Sequence, residues 1–230
     1  MGRILFLISI GLGGAAVLIS LGVWQVQRLS WKQAVLADIT TRIAAAPVEL
    51  PSQADPVAMK YLPVAVTGTF DDQVIYVLVS QKQIGAGYRV ISPMVTDAGR
   101  RVLIDRGFVR VVERDAVTTP TGAASVTGNL HWPEEIDSFT PQPDLNANIW
   151  FARDLPAMSK TLNTEPLLII ARETSLPDGP VTPLPVDTAG IPNNHLQYAI
   201  TWFSLALIWV GMTLVFALRG SRRRPERPNL

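Results

Sequence analysis

The sequence has 230 residues, 48% of them hydrophobic and 17% charged, with a net charge of +1 and no cysteine. That length holds one good-sized domain. The near-neutral charge provides no basic stripe for nucleic acid, and the lack of thiols excludes disulfides, zinc fingers and a cysteine nucleophile.

In chain order, the first feature is Ile4 to Val26, ILFLISIGLGGAAVLISLGVWQV, which carries no charge. At 1.5 Å per residue it exceeds the roughly 20 residues that a bilayer core requires. A cleavable signal has an apolar core of about 7–15 residues and a small-x-small cleavage site. Here the run is longer and meets an interfacial tryptophan, Trp24, and then Arg28. A retained transmembrane helix is therefore expected over residues 1–27. An amphipathic extension follows over 28–46, with Gln25, Arg28 and Lys32 on its polar face and Pro47 as its latest stop.

After the loop PVELPSQADP, segments rich in Val, Ile, Tyr and Phe predict strands over 61–70, 74–80, 88–95, 101–112, 124–132 and 166–173. Asp71-Asp72 and Asp97-Ala98-Gly99 read as turns. Ala152–Thr161 reads as a short helix capped by Asp154. So many strands with so little helix predict a mainly antiparallel β-domain, barrel or sandwich, over 47–192. Its end is a linker extended by Pro177, Pro180, Pro183, Pro185 and Pro192.

A second transmembrane helix is expected over 193–219, where Ala199 to Leu218 is charge-free, and a basic tail over 220–230. Arginines at 219, 222, 223, 224 and 227 hold that end in the cytoplasm. Two spans put the N-terminus on the same side. Arg28 and Lys32 lie on the outward side, but a region of about 170 residues translocates regardless of its charge.

Chemistry is sparse. There is no G-x-S-x-G elbow and no H-E-x-x-H, and His131 and His195 stand apart. Gly85-Ala86-Gly87 lacks the third glycine of a dinucleotide loop, position 90 being valine, and reads as a hairpin needing positive φ. No enzyme is expected. His131, in NLHWPEE, reads as a polar strand-end residue.

The stretch NNHLQYAITWF is sharper. Asn193 or Asn194 can cap the second span, and Tyr198, Trp202 and Leu205 follow His195 at i+3, i+7 and i+10. Two readings fit: an interfacial aromatic belt, or an axial haem ligand walled by aromatic rings. Arg28, between Trp24 and Trp31, either snorkels or reaches a haem propionate. Arg106, in LIDRGFV, either serves a propionate or pairs internally with an aspartate. If the spans pack through Gly11, Gly14 and Ala15, then Trp24, Arg28, His195, Tyr198 and Trp202 form one outward-facing pocket.

LGVWQVQRLSWK, VTGTF, GYRVISPM, VLIDRGFV, WFARDLPAM and NNHLQYAITWF occur in that order. Together they make the chain resemble the Surfeit locus 1 family, membrane proteins that assist assembly of cytochrome c oxidase. The likeness runs from about Leu21 to Phe203. It implies a bacterial inner-membrane protein that takes haem a as cargo from a haem a source and aids its insertion into the oxidase large subunit. It also implies His195 as the ligand to haem iron, with Trp202 on the same haem-proximal face. Where the family strand often reads L-V-N-R-G-W, this chain has Ile104, Asp105 and Phe108. The rival expectation is a scaffold that holds the nascent oxidase subunit in the lipid bilayer without touching haem. An enzyme acting on haem or lipid is a weaker third.

Charge and length predict the topology. Reporter fusions at Leu230 should score as cytoplasmic, and fusions within the loop 47–56 as external. A cytoplasmic signal from that loop would reverse the orientation.

Overall fold

The computed structural model describes residues 2–82 and 84–222; Arg223, Arg224 and Arg227 of the basic tail lie outside them. The chain forms two compact units. One is built from the segments up to Asp38 and from Ala189, and the other from Ile39–Thr188.

The first unit is helical. Helix α1 (Gly2–Ala44) is continuous and ends three residues before Pro47, whose ring disfavours helix in the residue preceding it. Its 43 residues span about 65 Å, twice the hydrocarbon thickness of a bilayer. Helix α3 covers His195–Arg222. Both contain windows of high mean hydropathy, 2.2 and 2.0. Leu5, Phe6, Leu12, Leu207, Ile208 and Leu214 are exposed on them. Continuous apolar surface of this kind is covered by lipid, and the two helices are membrane anchors.

The second unit is an eight-stranded sheet with one short helix. Its strands are β1 (Val48–Glu49), β2 (Pro63–Phe70), β3 (Ile75–Gln81), β4 (Gly85–Thr96), β5 (Arg101–Arg110), β6 (Ala123–His131), β7 (Ile149–Trp150) and β8 (Leu168–Thr174). They run in the order β1-β2-β6-β8-β5-β4-β3-β7. Most pairings are antiparallel, as expected, but β1–β2, β3–β7 and β5–β8 are parallel. The sheet curls until β2 also meets β4, Gly68–Phe70 against Met94–Thr96. End strands β1 and β7 leave it short of a closed eight-stranded barrel. The hairpin reading of Gly85 holds at its φ of +103°, where strand β4 begins.

Alternation sorts the side chains. Val102 and Ile104 of β5 and Ile169 of β8 enter a core with Val64, Val66, Met94 and Leu130. Their neighbours Leu103, Leu168 and Ile170 face the other way, onto Leu155, Met158 and Leu162 of helix α2 (Leu155–Leu162). Asp154 caps α2 by accepting from Ala157 N–H at 3.1 Å, and Asn163 ends it in a left-handed conformation. Strand β5 is thus covered on both faces, which accounts for its near-continuous burial.

The two charges in the middle of β5 are accommodated by a bulge. Ile91 pairs with Asp105 and Val90 with Gly107, leaving Arg106 as the extra residue. Gly107 takes φ +132°, open to glycine alone at little cost, and sits against the Thr182 carbonyl. Asp105, fully buried, accepts from Arg89 Nη1 at 2.6 Å and lies 3.6 Å from Arg153 Nη1. Burial pushes its carboxyl up, against the pull of Arg89 and then Arg153. Arg106 is buried too. It grips Asp178 with two nitrogens, donates to Ser92 Oγ and the Thr118 carbonyl, and lies over the Phe70 ring.

Beside Asp105, Arg153 also holds Glu135. Burial opposes the Glu135 carboxylate, yet the Arg153 guanidinium keeps it below its usual range. His131, at the end of β6, stacks on Tyr61 at 5.6 Å, and its Nδ1 is buried without a partner among the described residues. It is therefore more than a polar strand-end residue. Burial, reinforced by the positive charge of Arg153, lowers its pKa from 6.5 to about 4. The folded state thus keeps His131 neutral while the unfolded chain takes up a proton below pH 6.5. Stability from this group is complete above pH 6.5 and is lost as pH falls toward 4. In urea titrations of the detergent-solubilised protein, wild type should lose about 1–3 kcal/mol more than His131→Gln between pH 7 and 4.5. Equal losses would show that His131 is not the coupled group.

Candidate functional site

The helical unit is organised by one seam. On α1, Gly11, Ala15, Gly22 and Gln25 are buried and Leu18 and Leu29 half-buried, a spacing of 4-3-4-3-4. On α3 the same spacing runs through His195, Ala199, Trp202, Ala206, Trp209 and Thr213. Residues at such intervals fall on one helix face and form a packing seam. At Gly14 and Gly22, α1 has no side chain to offer. A Cβ added at Gly22 would lie 2.7 Å from the Phe203 ring, and one at Gly14 2.5 Å from the Trp209 indole. The indole also donates from Nε1 to the Gly11 carbonyl at 3.0 Å. Gly11, Gly14 and Ala15 do bring the spans together, and Gly22 extends their role.

His195 is the first residue of α3 and half-buried. Its Nδ1 lies 2.8 Å from Oε1 of Gln25, which is 9% exposed. An amide oxygen only accepts, so Nδ1 carries the proton. No described residue hydrogen-bonds to Nε2, the nitrogen that carries the lone pair in the neutral Nδ1–H tautomer. Asn194 occupies the cap position, its carbonyl accepting from Tyr198 N–H at 3.2 Å. Asn193 Oδ1 is buried and has no partner among the described residues.

The remaining expected site residues divide. Trp202 shares the seam face of His195 and is half-buried. Tyr198 and Leu205 do not: they are 54% and 43% exposed, on the flank of α3. Arg28 lies one turn beyond Gln25 on α1, exposed at the side of the seam. Its guanidinium sits 5.8 Å from the Trp24 ring and 5.0 Å from the Trp31 ring, the cation held between two indoles. Trp24 itself is 48% exposed. Arg106 belongs to the β-unit, where Asp178, Ser92 and Thr118 hold its guanidinium. Of its two sequence readings, the internal aspartate pair is the one the structure adopts.

Sequence reasoning missed Gln25, which it put on a solvated polar face with Arg28 and Lys32. A signal was present, because Gln25 continues the small-residue repeat three positions after Gly22. The arrangement has three chemical capabilities. It offers a neutral imidazole nitrogen as a ligand, a cation beside it for an anionic group, and indole surface for a flat apolar ring.

The SURF1 family model matches residues 12–207. Surfeit locus protein 1 of Xenopus tropicalis is 34% identical, the match covering 81% of this chain and 67% of that protein. The human protein of the same name is 33% identical, covering 81% of this chain and 69% of its own. A SURF1-like protein of Rickettsia felis is 30% identical, covering 87% of this chain and 92% of its own.

Proposed function

The chain belongs to the SURF1 family of cytochrome c oxidase assembly factors, and from this premise we propose that it is a haem carrier. On this reading it binds haem a at the outer end of its two anchoring helices and aids insertion of that haem into the oxidase large subunit. It performs no catalysis of its own. It sits in a bacterial inner membrane with both termini cytoplasmic and the β-unit periplasmic.

The observation that carries the reading is the state of His195. A ligating histidine normally donates its other ring N–H to an acceptor, which fixes tautomer and ring orientation. His195 has that arrangement toward Gln25 at 2.8 Å. Trp202 supplies indole surface on the same face, and Arg28 supplies a charge-assisted donor for a propionate. Trp24, which stacks under Arg28 rather than facing the seam, acts on the cargo through that arginine. Tyr198, on the exposed flank, serves the interfacial belt.

The alternative, a scaffold that holds the nascent subunit without haem, draws on a different observation. Ile136, Phe139 and Leu145 of the segment between β6 and β7 are 52%, 88% and 67% exposed. Exposed apolar side chains in one loop suit protein contact.

Titration of the detergent-purified protein with haem a separates the two. The carrier should give a low-spin spectrum that disappears in His195→Ala. In Arg28→Ala the spectral type should persist with affinity reduced about ten- to hundredfold, the worth of a charge-assisted hydrogen bond of about 1.5–3 kcal/mol. A spectrum unchanged by His195→Ala removes the ligand assignment. Co-purification with the large subunit, unchanged by that substitution and free of haem, selects the scaffold. Unchanged affinity in Arg28→Ala places the propionates elsewhere.

A further inference from the structure

Nothing in the carrier reading says why the partner of His195 is an amide. We propose that Gln25 is a positioning residue for the cargo site. It holds His195 as the Nδ1–H tautomer with Nε2 aimed outward, and, being neutral, keeps the iron bond weak enough to release the cargo. The inference rests on the carrier reading and adds a residue and a property to it.

Three observations support it. First, Gln25 is the single buried polar side chain on the α1 seam among the described residues, set among Gly11, Ala15, Leu18 and Gly22. An amide in such surroundings costs several kcal/mol unless hydrogen-bonded, so the bond to His195 is strongly favoured over an open rotamer. Second, the bond joins the two helices across a seam already brought close by Gly22 and Gly14. The reach of the side chain is therefore set by backbone packing rather than by loop position. Third, the ring is at the first position of α3, and Gln25 is the one hydrogen-bond partner it has among the described residues. Without Gln25 no described group holds the ring plane.

The choice of acceptor has a chemical consequence. A carboxylate partner pulls on the Nδ1 proton and raises the basicity of Nε2, which strengthens the metal bond. A carboxamide supplies the same direction with much less pull. It also avoids placing an unpaired negative charge in an apolar seam. Orientation without added basicity suits a cargo that must leave.

The test has an arm that needs no haem. In detergent-solubilised apoprotein with 15N-labelled histidine, the ring resonances of His195 should report protonated Nδ1 and unprotonated Nε2 near pH 7.5. Gln25→Leu, shorter and apolar, should convert them to a tautomer mixture, and Gln25→Glu should preserve the Nδ1–H form. A wild-type Nε2–H tautomer, or one indifferent to Gln25→Leu, would overturn the role of Gln25. The second arm loads haem a and follows its transfer to apomyoglobin. Gln25→Leu should weaken haem binding about ten- to hundredfold. Gln25→Glu should slow release and lower the midpoint potential relative to wild type. Release and potential unaltered by Gln25→Glu would remove the claim about basicity. A wild type that binds no haem sinks the carrier reading. Intact binding with an indifferent tautomer sinks the assignment of Gln25 alone.

Discussion

Two polar side chains facing each other across an apolar helix seam must satisfy one another, and much of the helical unit serves that requirement. The Gln25–His195 bond spans α1 and α3 at 2.8 Å. The bond favours one register of the two helices at this end of the seam. Slipping either helix by one residue would rotate its seam position by about 100° and separate the buried amide from the imidazole. Apolar contacts alone tolerate such slips far better.

The short distance across the seam has its own cause. Glycine at positions 11, 14 and 22 costs helix propensity of roughly 1 kcal/mol each in water. In a membrane that cost is offset by close approach, and here each glycine receives a large or branched side chain from α3: Thr213, Trp209 and Phe203. Large residues thus come from one helix and space from the other. The Trp209 indole reaches the Gly11 carbonyl because no side chain shields it. Polar seam positions then lie at the end of a tightly packed interface, where their geometry is inherited from the packing.

The legible and illegible parts of this chain follow from the length scale of each signal. Six strands were readable because each is a run of seven or more residues rich in β-branched and aromatic side chains. Strands β1 and β7 have two residues each, too few for any period, and with them went two of the parallel pairings. The end of β5 was read two residues too long, since Val111 and Val112 look like strand. The chain instead turns into a 3-10 helix over Val111–Ala116, and Arg114 stacks on Tyr76 and Tyr88. The proline-rich linker was expected to be merely extended. Thr182 lies between Pro180 and Pro183, and it exchanges backbone hydrogen bonds with Phe108 at 2.7 and 2.8 Å. At the site, His195 and Trp202 were visible as a rare residue type and a repeated spacing. Gln25 was not, because its partner lies 170 residues away in sequence and only the helix seam joins them.

The same chain handles polar groups in two contrasting ways, and the contrast bears on what each is for. In the β-unit, Arg106 is closely held: Asp178 takes two of its nitrogens, Ser92 and Thr118 take further bonds, and Phe70 covers a face. A guanidinium so enclosed fixes a bulge and a linker, with four of its five N–H donors committed. Asp105 is matched in charge by Arg89 and Arg153, although only its Oδ2 is hydrogen-bonded and its Oδ1 has no partner among the described residues. In the helical unit the polar groups are only half committed. His195 has one nitrogen engaged, and Arg28 rests on two indole rings that attract its charge without consuming its N–H donors. Full commitment gives rigidity, whereas partial commitment holds a group in place and leaves its chemistry open. On the carrier reading, a site for passing cargo needs the second kind, and the residues with that property are those at the Gln25–His195 end of the seam.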